Sequence, residues 1–137
     1  MQKALTGLGA VLMLGVSGCA TVAGLAPGQG RIVDIHATSF ATVWEAAMDC
    51  VSRDLTIVRS NKNLGRIEAK HGFSFFSGSS GEVVGVFISR PGDSGVSVEV
   101  VSKRRLATEI FTHNWEVPII ECIQAESANM AEDARTR

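Results

Sequence analysis

The sequence predicts an α+β fold: an antiparallel sheet of four to five strands with two helices packed on one face, in the order β-α-β-β-β-β-α. Three observations point to it. Apolar residues recur at helical spacing after residue 39, several short segments alternate apolar and polar residues, and turn residues separate consecutive alternating segments. Short turns between successive strands join them antiparallel, since a parallel pair needs a long crossover.

Residues 31–37 alternate, with Val33, Ile35 and Ala37 on one side and Asp34 and His36 on the other, which reads as a strand. Ser39 is placed to cap a helix, its hydroxyl accepting from a free backbone N–H of the first turn. Behind it Phe40, Trp44, Ala47, Val51 and Leu55 form one helical stripe, with Glu45, Asp49 and Arg53 opposite. Residues 55–60 return as a strand, and Asn61-Lys62-Asn63-Leu64-Gly65 has turn chemistry. Residues 66–70 alternate with Ile67 and Ala69 inward and the charges outward, and residues 82–90 form a richer apolar run. Pro91-Gly92-Asp93-Ser94-Gly95 reads as a turn, after which Val96, Val98 and Val100 alternate with Ser97 and Glu99. A last helix begins around Asn114 to Pro118, where Pro118 fits only the first turn, and Trp115, Ile119, Cys122 and Ile123 make its apolar side.

The composition excludes several classes. Thirteen Lys and Arg against fourteen Asp and Glu leave a net charge of −1, without the cationic surplus that phosphate neutralisation demands, so nucleic-acid binding is not expected. At 45% hydrophobic and 20% charged, the chain is unlike a wholly disordered one, and 137 residues suit one domain.

The first residues read as an address. Residues 1–3 carry one positive charge, and residues 4–16 are uncharged and apolar but shorter than the roughly 20 residues of a membrane-spanning helix. Val16-Ser17-Gly18-Cys19 follows, small residues before a cysteine, as at the cleavage point of a secretion signal. This segment resembles the lipobox of bacterial lipoproteins. The resemblance implies cleavage after residue 18, acylation of Cys19 and a membrane partner bound through its acyl chains, among them palmitate. In that family an Asp after the cysteine marks inner-membrane retention in enteric bacteria. Ala20 stands there, so the periplasmic face of the outer membrane is expected. Division of the chain then follows: a signal peptide over 1–18, a flexible membrane tether over 19–30, an α+β domain over 31–126 and a polar C-terminal tail over 127–137. The tether, uncharged and containing Pro27 and Gly28, reaches about 20 Å as a coil.

The residues Phe40-Ala41-Thr42-Val43-Trp44-Glu45-Ala46-Ala47, then Ile57 to Ser60, Gly65-Arg66-Ile67-Glu68-Ala69, and Val98 to Arg105 before Trp115 resemble small proteobacterial envelope lipoproteins of uncharacterised function. More distantly the pattern is similar to the helix-grip domains of the C-subunit lipoprotein of the outer-membrane β-barrel assembly machine. This chain has one such domain and no long N-terminal segment. The resemblance brings no catalytic residue with it.

Few constellations suggest chemistry. Gly92-Asp93-Ser94-Gly95 matches the surroundings of a chymotrypsin-like nucleophile, but Val96 stands where the oxyanion turn needs glycine, and the chain is too short for two barrels. His36, His71 and His113 are far apart, without the close pairs of metal sites, so no metal and no cofactor is expected. The acidic residues are expected on outward faces and helix ends. Cys50 and Cys122 fall on two helices sharing a face of the sheet. They form either a disulfide, contributing about 4 kcal/mol in the chain-entropy account, or two buried free thiols. Phe73, Phe75 and Phe76 beside a Gly/Ser stretch are either a partner-docking tip or a strand end with inward rings. Lys103, Arg104 and Arg105 are either a solvated run or a contact to anionic head groups or a polyanionic partner.

These readings converge on a non-enzymatic, lipid-anchored envelope protein acting as an interaction, assembly or adaptor module for an envelope protein partner. The alternative is a periplasmic lipoprotein that binds a small ligand or a cell-wall fragment.

Overall fold

The computed structural model of the chain describes residues 24–72, 81–92, 95–104 and 113–137. Five strands and two helices follow in the order β1 (Arg31–His36), α1 (Phe40–Asp54), β2 (Thr56–Asn61), β3 (Arg66–Lys70), β4 (Glu82–Gly92), β5 (Gly95–Arg104) and α2 (Glu116–Thr136). The strands form one sheet in the order β1-β5-β4-β3-β2, every neighbouring pair antiparallel. The first two strands are therefore the two edges, and α1 crosses the whole sheet between them.

Each element has a local reason. Ser39 caps α1, its Oγ accepting from the Thr42 N–H at 3.1 Å. The apolar stripe of α1 buries Val43, Trp44, Ala47, Cys50 and Val51, while Asp49 and Arg53 pair one turn apart on the exposed side. Pro118 sits in the first turn of α2, where its missing N–H leaves no helical acceptor unpaired. Arg53 also reaches Glu126 at 2.7 Å, and Lys62 reaches Glu45 at 3.0 Å, tying the surfaces of neighbouring elements together. The core lies between the helices and one face of the sheet, where Ile67, Ala69, Val84, Val86, Val98 and Val100 meet Val43, Ala47, Val51, Ile119 and Ile123. Inside this layer Cys50 and Cys122 form a disulfide with a Cα–Cα distance of 5.9 Å and a sequence separation of 72 residues.

Two boundaries differ from the sequence reading. Residues 127–136 continue α2 rather than forming a polar tail. Ile119, Ile123 and Ser127 are buried at i, i+4 and i+8, and Met130 packs on the same core, so the apolar stripe outlasts the hydrophobic sequence by using a serine. The hydroxyl of Ser127 is satisfied by donating to the Gln124 carbonyl at 3.1 Å. The tether expected over 19–30 is docked from residue 24 onward, as described below. The expected outward placement of acidic residues also fails at Glu68, Glu82 and Glu99, all buried. Period-two alternation assigns Glu68 and Glu99 to the face away from the helices, which is covered in part here, whereas Glu82, in phase with Val84 and Val86, lies on the helix side against Trp115 and His113.

Candidate functional site

The two faces of the sheet are covered by different parts of the chain. Helices cover the first. Part of the second is covered by residues 24–30, a strap leading into β1. Its anchor is Glu99, whose carboxylate accepts the backbone N–H groups of Gly28, Gln29 and Gly30, each at 2.8 Å. Burial pushes the Glu99 carboxyl upward, and the three N–H donors outweigh it, so its pKa lies below the ordinary value. The strap can wrap the carboxylate because of two glycines. Gly28 has φ +87°, and a Cβ at Gly30 would lie 2.0 Å from the Val100 carbonyl oxygen.

Ahead of this anchor Leu25 is buried against Val83, Val101 and Phe87. It sits over Gly85, where a Cβ would stand 3.3 Å from Leu25 Cδ1, so the missing side chain in β4 makes the seat. Arg66 donates to the Leu25 carbonyl at 3.0 Å, stacks over the Phe87 ring at 5.3 Å, and pairs with buried Glu68 at 2.5 Å. Arg59 stands 3.7 Å from the other Glu68 oxygen. Finally, Lys103 donates to the Gly24 carbonyl at 2.9 Å. The strap thus enters near the Lys103 end of the sheet and crosses to the start of β1.

The same end carries a second cluster. Glu82 accepts from the His113 N–H at 3.0 Å and from Trp115 Nε1 at 3.3 Å. The rings of His71 and His113 flank Trp115 at centroid distances of 5.4 and 4.5 Å. Ser102 N–H donates to Glu116 at 3.3 Å. These contacts stitch the start of α2 to the ends of β4 and β5. Among the described residues no group of three or more His, Cys, Asp or Glu converges as a metal site.

At the opposite end lies an open cleft of about 800 Å³ between the start of α1, the β4–β5 strand ends and the last turns of α2. Arg90 and Arg135 line it together with Thr38, Ser39 and Phe40. Arg90 stacks over Phe40 at 4.7 Å. Among the described residues the buried Thr38 hydroxyl oxygen has no hydrogen-bond partner.

Of the residues singled out from the sequence, Cys50 and Cys122 are brought together as a bridge. Lys103 holds the strap, and Arg104 ends β5 on the exposed surface beside it. Cys19, Phe73, Phe75, Phe76 and Arg105 lie outside the described residues. Sequence reasoning missed Leu25, Arg66, Glu99 and the arginine-lined cleft. A signal existed for Glu99, since alternation with Val98 and Val100 puts it on the face away from the helices.

Fold and site together define a small α+β domain whose own N-terminal segment is bound to the sheet face that the helices leave open. No protein-family model matches the chain, and no curated protein does so. Among the described residues no helix is long and apolar enough to cross a membrane.

Proposed function

We propose that the chain is a lipid-anchored envelope protein, acylated at Cys19 on the periplasmic face of the outer membrane. Its domain serves as a non-enzymatic protein-interaction or assembly module. The observation that carries this reading is the strap. Only residues 20–23 separate the lipobox cysteine from Gly24, which Lys103 holds against the sheet. An anchor followed so soon by a docked segment confines the domain to a thin layer above the bilayer, raising its effective concentration toward other proteins confined there. The carboxylates that came out buried are engaged by the fold. Glu99 holds the strap, Glu82 holds the Trp115 region, and Glu68 pairs with Arg66.

Two measurements test the reading. Intact mass of the N-terminal peptide from the membrane fraction is expected to show a cleaved chain with acylated Cys19, and Cys19→Ser is expected to abolish membrane retention. Photo-cross-linking in cells from exposed Leu64 and Ile32 is expected to trap a discrete envelope protein. An unacylated N-terminus refutes the anchor, and an acylated protein with no protein cross-link refutes the interaction module.

The cleft favours a second reading, binding of a small anionic ligand or cell-wall fragment. Its volume falls in the range of small-molecule sites, and two arginines, Arg90 and Arg135, are among its lining residues. Titration calorimetry with carboxylate-bearing peptidoglycan fragments tests this reading. Binding that disappears in the double variant Arg90→Ala, Arg135→Ala supports it, and no heat at millimolar ligand rejects it.

A further inference from the structure

We infer that the strap orients the domain, so that the sheet end carrying Lys70 and Lys103 faces an anionic bilayer surface and the arginine-lined cleft points away from it. The inference rests on acylation of Cys19 and goes beyond it by assigning a face and a lipid chemistry.

The first step is reach. Five residue steps separate Cys19 from Gly24 and span at most about 18 Å when fully extended. Gly24 is not free to wander: its carbonyl is held by Lys103, and the next residue, Leu25, is 2% exposed with its own carbonyl held by Arg66. Lys103 pairs with Val83 at the start of β4, and Gly92 pairs with Gly95 at the far end. The nine residue steps from Val83 to Gly92 span about 30 Å at the rise of a strand. The cleft, lined by Gly92 and Gly95, is therefore farther from Gly24 than the free chain can reach. An anchored domain cannot turn that end to the bilayer while the strap stays docked.

The second step is charge, which decides between lying flat and standing on the strap end. Lys70 is exposed and pairs in register with Val83, beside Lys103 across β4. Arg104 follows on the exposed surface. Among the described residues the carboxylates at this end lie on the helix side. Glu82 is buried on Trp115 and His113, Glu116 accepts from Ser102, and Asp54 and Glu121 are exposed on α1 and α2. With a screening length of about 8 Å at physiological ionic strength, only charges on the end nearest the anchor sense the head groups. On the strap face, among the described residues, those are Lys70 and Lys103, one on each side of Val83 where the strap enters, and juxtamembrane cations are drawn to anionic leaflets.

The test uses the mature acylated protein in phosphatidylethanolamine–phosphatidylglycerol nanodiscs that contain a lipid with a nitroxide on its head group. Broadening of backbone amide signals is read along the chain. The amides of Lys70, Lys103 and His113 are expected to vanish while those of Arg90, Gly95 and Arg135 persist. Replacing phosphatidylglycerol by a zwitterionic lipid, or Lys70 by Glu, is expected to flatten this gradient. Glu99→Gln, which loosens the strap, is expected to flatten it while the protein still co-floats with lipid. Uniform broadening of an anchored protein, or a reversed gradient, overturns the orientation alone. A gradient indifferent to lipid charge and to Lys70→Glu overturns the anionic surface. A protein that is unacylated and fails to co-float overturns the anchoring reading and the orientation with it.

Discussion

Replacing Glu99 by Gln isolates the hold of the sheet on the strap. All three donors, Gly28, Gln29 and Gly30 N–H, reach the same oxygen at 2.8 Å, and Gly28 also reaches the second oxygen. A glutamine can keep its carbonyl oxygen on that point, so the geometry survives, but the charge is lost and an amide NH₂ faces the Gly28 N–H. A charge-assisted hydrogen bond is about twice as strong as a neutral one, and a neutral one is worth about 1 kcal/mol net. Three bonds losing their charge assistance forfeit about 3 kcal/mol, and relief from burying a carboxylate returns about 1 kcal/mol. The expected net cost is about 2 kcal/mol, or a roughly 30-fold rise in strap opening. Because the strap can peel off alone and its amides then meet water, this loss appears as local opening, not global unfolding. Amide hydrogen exchange is the assay: protection at Gln29 and Gly30 is expected to fall about 30-fold, with the α1 core amides unchanged. The same carboxylate makes the strap acid-sensitive in the wild type. Its folded pKa is lowered, so its contribution is complete above the ordinary glutamate value of about 4.3 and is lost as the pH falls through the lower folded value. In the Gln variant that acid limb disappears. Protection unchanged within threefold in Glu99→Gln, or an acid limb that survives it, would refute the strap-anchor reasoning.

Reduction of the Cys50–Cys122 bridge, or the double variant Cys50→Ala, Cys122→Ala, removes a cross-link across 72 residues and is expected to cost about 4 kcal/mol by loop-closure entropy. For a domain of this size that lowers the midpoint of thermal unfolding by roughly 15–20 °C, and a drop below 5 °C in calorimetry counts against it. Gly85→Val adds a Cβ that meets the Phe87 ring at 3.0 Å and Leu25 at 3.3 Å, so Leu25 loses its seat. Strap opening, read as exchange at Gln29 and Gly30, should rise roughly 30-fold for the about 2 kcal/mol that Leu25 burial is worth, and an unchanged rate means the seat is not Gly85. Arg66→Ala leaves buried Glu68, among the described residues, with only Arg59 at 3.7 Å and frees the Leu25 carbonyl. A stability loss of about 3 kcal/mol in urea is expected, and Arg66→Ala, Glu68→Ala should recover part of it by removing the stranded charge. Failure of the double variant to recover stability argues against the ion pair.

Much of the fold was legible because its causes are local. The Phe40, Trp44, Ala47, Val51 stripe, the Ser39 cap and the position of Pro118 each depend on residues within one or two turns, and the turn at Asn61 to Gly65 depends on five neighbours. Alternation in β3 and β5 assigned Ile67, Ala69, Val98 and Val100 to the helix-covered face for the same reason. Local pattern stops where partners are distant. Whether Cys50 and Cys122 bridge depends on an inter-helix distance that spacing within either helix does not contain. Glu99 reads as a solvated strand residue until residues 28–30, 69 or more positions earlier in the chain, close over it.

The N-terminal residues show the division most plainly. The sequence by itself determined that residues 19–30 are uncharged, small and turn-rich, a composition that buries little surface and favours a coil. Only the tertiary structure decided that its second half is bound. A bare glycine at position 85, an apolar wall from Val83, Val101 and Phe87, and a buried carboxylate converge on one place on the sheet. A single leucine cannot order a loop in isolation, because the entropy lost exceeds its burial. Seated on a preformed surface that also satisfies its neighbours' N–H groups, it can.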